Sequence, residues 1–179
     1  MFFFLIGRSE ENMNYLTTIG VKFGYAVATE NGKIPTVFEW LESCKSIGGI
    51  SLSQDAIDVT TLSSYIKEYA DGLADTGGAW DTVYGVCDEA IEELEKMLTA
   101  AATAKKEGKE VWWDVWFPSL KKSFYIIATP GTKIALPEIG TGAAAEFPVS
   151  LTINKYIGLD DAVEPTKTTD ATTGDETGA

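Results

Sequence analysis

The side chains that could do chemistry in this chain are mostly carboxylates. Glu92, Glu93 and Glu95 stand close together in one stretch, and Asp55, Asp58, Asp71 and Asp75 punctuate another. Paired carboxylates can serve as general acid and base, and spaced aspartates can hold calcium. The spacings support neither. The three glutamates fall mostly opposite the apolar stripe of a helical pattern, which makes them a solvated face. The aspartates lack the EF-hand spacing and its closing glutamate. Gly77-Gly78 is turn chemistry, since no Lys-Ser/Thr and helix follow it as a phosphate cradle requires. The sequence contains no histidine, which removes the commonest general base, the Ser-His and Cys-His nucleophile pairs and most transition-metal sites. Cys44 and Cys87 lie far apart without Cys-x-x-Cys spacing and read as small, partly buried thiols. The chain is therefore expected not to be an enzyme and to take no cofactor or metal.

Composition narrows the partners as well. The 179 residues suit one domain with a sizeable core and a tail. Fourteen basic against 27 acidic residues leave a net charge of −13. Such a surface is a poor match for nucleic acid as a bound ligand, because affinity there comes mostly from Lys and Arg at phosphates. Anionic membrane is disfavoured for the same reason. The opening run Met1-Phe-Phe-Phe-Leu-Ile6 is too short to span a bilayer and lacks a signal peptide's basic leader and cleavage site. Two readings of it stand. It is a hydrophobic arm that docks on a neighbour, or it is leader ahead of a true start at Met13. The second is preferred, because Glu10-Glu11-Asn12 can be encoded by a purine-rich stretch like a ribosome-binding site.

The elements that must carry these residues are mainly strands. Val21, Phe23, Tyr25 and Val27 alternate with smaller or polar neighbours, which is a half-buried strand. A connection through Phe38, Trp40 and Leu41 leads to a strand over about residues 46–60. Residues 61–76 then form a polar excursion with weak helical character over 64–70 and no core of its own, closed by Gly77-Gly78. A long polar loop in a compact β domain is uncommon unless it is functional. The next strand carries Trp80, Thr82, Tyr84 and Val86. One helix is expected from Asp88 to Lys106, with Asp88 capping it and Ala90, Ile91, Leu94, Met97, Leu98 and Ala101 forming its apolar stripe. Val111–Phe117 and Phe124–Thr129 make a hairpin, and Phe147, Val149, Leu151 and Ile153 alternate in a last strand. On the Val111–Phe117 strand, Trp112, Asp114 and Trp116 share the second face, to be covered by the helix or by another subunit. The expected fold class is mainly β, a sandwich or half-barrel with one flanking helix. From residue 159 the composition turns to Thr, Asp, Gly, Ala and Glu, and a disordered acidic tail is expected over 159–179.

Several pieces, in order, resemble the tail tube (major tail) proteins of long-tailed bacteriophages. They are Thr17–Tyr25, Gly32–Pro35, Ile47–Ile50, Ile57–Leu62, Tyr69–Gly78, the helix, Trp116-Phe-Pro118, Ser123-Phe-Tyr125 and Leu136-Pro-Glu138. The resemblance covers residues 14 to 165, leaving an extension over 1–13 outside a domain of 14–158. It implies a structural virion subunit found in the tail, and in the host cytoplasm during assembly. Six copies would close into a ring, and rings would stack into a hollow conduit through which double-stranded DNA passes without specific binding. The implied partners are further copies of the chain, a tape measure protein, and tail tip and tail terminator proteins. Lumen-facing acids would then repel phosphate. Asp160, Asp161, Glu164, Asp170, Asp175 and Glu176 belong to the tail and solubilise.

The same resemblance gives the polar excursion a role as a stacking loop. Leu62, Tyr65, Ile66, Tyr69 and Leu73 either pin it to its own domain or anchor it in the adjacent ring, and the second is preferred because aromatic anchors dominate interfaces. Gly72, Gly77 and Gly78 form the turn that brackets it, and Trp112 and Trp116 mark a candidate inter-subunit strand face. Two rivals remain: the tube subunit of a contractile injection or type VI-like machine, and a monomeric or trimeric β-sandwich decoration or binding module.

Overall fold

The computed structural model describes residues 17–63 and 65–167. Among them, one antiparallel sheet of seven strands has the order β2-β1-β7-β8-β9-β6-β3, and a separate pair, β4-β5, stands apart from it. The strands are β1 (Lys22–Val27), β2 (Glu39–Trp40), β3 (Cys44–Ile47), β4 (Ser53–Asp58), β5 (Tyr69–Asp75), β6 (Ala79–Gly85), β7 (Val111–Trp116), β8 (Lys122–Pro130) and β9 (Glu146–Asp161), with a single helix α1 (Asp88–Lys106). The sheet curls because β9 is long enough to pair with two strands. Its first half lies against β6 and its second half against β8, with register shifts along the β8 pairing. The result is mainly β, a half-barrel with one flanking helix.

Period-two alternation decides what fills the two faces. Phe23, Trp80, Trp113, Ile126 and Leu151 point to the concave face with the helix residues Leu94, Met97 and Ala101. Phe23 stacks on Trp113 at 5.3 Å and meets Trp80 edge-on at 5.4 Å, so strands from opposite sides of the curl touch through aromatic rings. Each large side chain buried there stabilises the fold by about 1.5–3 kcal/mol. The helix spans the expected residues, but Cys87 rather than Asp88 caps it: the Cys87 Sγ accepts from the Ala90 N–H at 3.4 Å. Asp88 is the first helical residue and acts on the helix dipole instead.

Glu93 is not a solvated acid. It accepts from the Glu42 N–H at 2.7 Å, the Ser43 N–H at 3.1 Å and the Ser43 hydroxyl, and so ties the helix to the turn before β3. Lys96 and Tyr25 bind the two oxygens of Glu39 at 2.7 and 3.1 Å, tying the helix to β2.

The second face is closed by the chain itself. Ala26, Ala28, Phe38, Trp112, Tyr125 and Ile127 form a smaller cluster, with Ile34, Ile157 and Val163 packed against it. The sheet does not end at residue 158 as the composition suggested: Leu159, Asp160 and Asp161 pair with Phe124, Ser123 and Lys122. Residues 162–166 then cross the second face as a strap. The Tyr125 hydroxyl donates to the Asp161 carbonyl at 2.7 Å and accepts from the Val163 N–H at 3.0 Å. Thr166 bridges to Glu39, covering the outer edge of β2, and Glu164 is paired with Lys22. Backbone pairing and aromatic packing hold this polar stretch where composition alone signalled release. The expected extension over 1–13 and the chain after 167 lie outside the described residues.

Candidate functional site

The stretch expected as one strand over 46–60 and a polar loop over 61–76 is built differently. β3 ends at Ile47, and the next residue, Gly48, still donates its N–H to the Asp81 carbonyl of β6 at 2.8 Å. A Cβ on Gly48 would lie 2.8 Å from that same carbonyl oxygen, so the approach needs glycine. The chain then leaves the sheet and returns as a two-stranded arm. Asp58 pairs with Tyr69, Ile57 with Ala70 and Ala56 with Asp71, and the register shifts between Gln54 and Ala56. Gly72 sits at that irregularity, where a Cβ would be only 2.5 Å from the Asp55 carbonyl oxygen. The weak helical character expected over 64–70 gives no helix among the described residues: 65–68 form bends and irregular chain, Tyr69 and Ala70 open the strand β5, and Ser64 lies outside the described residues.

Local polar chemistry holds the arm's far end. The Thr60 hydroxyl, and then the Thr60 N–H that donates to the Asp58 carboxylate at 2.9 Å, hold that carboxyl below its usual pKa. The Thr60 hydroxyl accepts from the Glu68 N–H at 3.0 Å, and the Val59 N–H donates to the Glu68 carbonyl at 3.0 Å. At the root, Gly77 and Gly78 both take positive φ, 78° and 73°. The Ile153 N–H donates to the Gly78 carbonyl at 2.9 Å, and the Trp80 indole donates to the Gly48 carbonyl at 2.6 Å. Both ends of the arm are therefore fastened to the sheet.

Between those fastenings, the arm buries almost nothing. Every residue of β4 is exposed, as is every residue of β5 except Gly72. Leu62 and Tyr65 are fully exposed, Leu73 and Ile66 are 93% and 80% exposed, and Tyr69 and Ile57 are more than half exposed. The five side chains singled out in the sequence thus share one projecting element, and none is pinned to its own domain. Ile57 and Leu52, both within the stretch expected as a strand over 46–60, are also more than half exposed.

The two tryptophans part company. Trp112 is 1% exposed within the subunit's own second cluster, so its own chain covers it. Trp116 is partly buried, with the Lys22 ammonium 5.5 Å from its ring and 4.9 Å from that of Trp40.

Sequence reading did not single out Asp114 as a titrating group. It is fully buried on the second face, beside Trp112 and opposite Gly24 and Tyr125. Neither carboxylate oxygen has a hydrogen-bond partner among the described residues. Burial pushes its pKa up to about 7, and the nearby Ser123 hydroxyl draws it back a little without closing a hydrogen bond. Cys44 is partly buried, and burial likewise pushes its thiol up to about 12, so it is a poor nucleophile.

No family model and no curated protein matches the chain. Among solved structures, the chain is similar to a chain in the tail of an empty GTA particle with C6 symmetry, at 15% identity and TM-score 0.47, over 79% of this chain and 93% of that one. It is similar to a chain of the six-fold symmetrised anti-feeding prophage (AFP) baseplate, at 9% identity and TM-score 0.41, over 75% and 89%. A chain in the virion of a native gene transfer agent particle is similar at 16% identity and TM-score 0.42, over 70% and 88%.

Proposed function

We propose that the chain is a structural subunit of a tail-tube-like assembly in a virion, with no catalytic role. Six copies form a ring, rings stack through the β4–β5 arm, and the stack makes a hollow conduit for DNA. One observation carries this reading: an arm fastened at both ends exposes Leu62, Tyr65, Ile66 and Leu73 with no support from its own domain. Exposed apolar surface of this extent marks an interaction site. The ordered sequence resemblance to tail tube proteins supports the same reading. So does the outer edge of β3, which has no strand partner among the described residues and can accept a neighbour's strand. Tape measure, tail tip and tail terminator proteins are the partners this reading implies.

Negative-stain electron microscopy of the purified protein, dilute and concentrated, with a mass measurement on each sample, tests the proposal. Hollow rings or tubes of uniform diameter are expected. A discrete small oligomer without a central hole would overturn it in favour of a decoration or binding module.

A further inference from the structure

The helix covers only part of the concave face. Beside it lies a groove of about 670 Å³, open among the described residues, whose lining includes Val21, Trp40, Val115, Phe117, Phe124 and Tyr156. None of the helix residues reaches it. A groove of this volume with mostly apolar and aromatic walls is the form that binding sites take. It runs from Ile47–Ile50 at the root of the arm to Thr18 and Val21 at the far end of β1.

We propose that this groove receives the β4–β5 arm of a second copy of the chain, with Tyr65 and Ile66 as the inserted side chains. The inference rests on reading the arm as an assembly element and names the surface it engages. Area is the first argument. The exposed side chains Ile57, Val59, Leu62, Tyr65, Ile66, Tyr69 and Leu73 offer on the order of 800 Å² in all, which is one partner's share of a standard stable interface. Chemistry is the second: the arm presents aliphatic and tyrosine side chains, and the groove presents apolar walls with polar groups at its rim, among them Glu42, Lys45 and Ser46. Symmetry is the third. Arm and groove are different surfaces of one chain, so where two copies do not exchange arms reciprocally the contact runs head to tail, closing as a ring or continuing as a filament.

The test uses the full chain with Tyr65 replaced by the photo-crosslinker p-benzoyl-phenylalanine. Residue 65 is fully exposed, so the replacement leaves the fold intact. Isotopically light and heavy chains are mixed, assembled at high concentration, illuminated and mapped by mass spectrometry. The expected result is light–heavy cross-links from residue 65 to peptides spanning 40–50 or 115–126. Light–heavy cross-links in assembled particles that map elsewhere overturn the groove and leave the assembly reading standing. A chain that stays monomeric, with cross-links only within one copy, overturns both.

Discussion

Gly24 and Pro165 are in direct contact across the second face: a Cβ built on Gly24 would lie 2.8 Å from the Pro165 Cβ and 3.0 Å from the Glu39 carbonyl oxygen. The strap can lie flat on β1 only because residue 24 has no side chain. Gly24→Ala is expected to cost about 1–3 kcal/mol, as overpacking does, and to lift the strap. Urea unfolding would show the loss of stability. Hydrogen exchange would show faster exchange at the Val163 and Thr166 amides.

Asp114 makes stability depend on pH in a fixed direction. Its folded pKa, about 7, stands above the ordinary 3.8 because burial penalises the charge. The folded state therefore holds the proton more tightly than the unfolded chain, and this contribution is lost as pH rises from about 4 to 7. Three pKa units set an upper bound of about 4 kcal/mol. Asp114→Asn should gain on the wild type steadily across that window and keep its advantage above it. Unfolding midpoints of the two proteins at pH 5 and pH 8 check this, and a gap that does not widen with pH refutes it.

Tyr65→Ala combined with Tyr69→Ala separates assembly from folding. Both side chains are exposed, so stability should stay within about 0.5 kcal/mol of wild type, while polymer formation is abolished. Calorimetry and electron microscopy of the same sample report the two quantities, and normal polymers from the double variant would count against the arm.

Gly72→Ala tests whether the arm is an independent unit. A Cβ 2.5 Å from the Asp55 carbonyl oxygen must break the pairing there. Amides over 53–58 and 69–75 should exchange faster while the global unfolding midpoint hardly moves, because the arm shares no core with the sheet. A large drop in global stability would show the opposite.

Those elements whose signal is local were legible in the sequence. Alternation over Val21–Val27 and Phe147–Ile153 and the helical spacing of Leu94, Met97 and Ala101 translate directly into β1, β9 and α1. The exposed far end of the arm was legible too, since Tyr65 and Ile66 sit in a stretch with no core to join, whereas β4 was read as part of a strand over 46–60. What local pattern cannot carry is pairing. Residues 69–75 have no strand signal of their own and become a strand by lying against β4. Asp160 and Asp161 look like tail until Ser123 and Lys122 are found opposite them. Trp112 looked available for a neighbour because its cover, Phe38 and Val163, comes from distant parts of the chain. Glu93 looked solvated because its partners are backbone N–H groups fifty residues earlier.

The fastening of the arm at Gly48 and Gly78 has one more consequence. A segment whose two ends are already held by the sheet can change length with little effect on the body, because each doubling of a flexible loop costs only about 0.6 kcal/mol in closure entropy. Insertions near Thr61–Ser63 would be felt as reach and not as instability. Under the stacking role proposed above, arm length would set the spacing between stacked copies while the half-barrel that presents the arm stays the same.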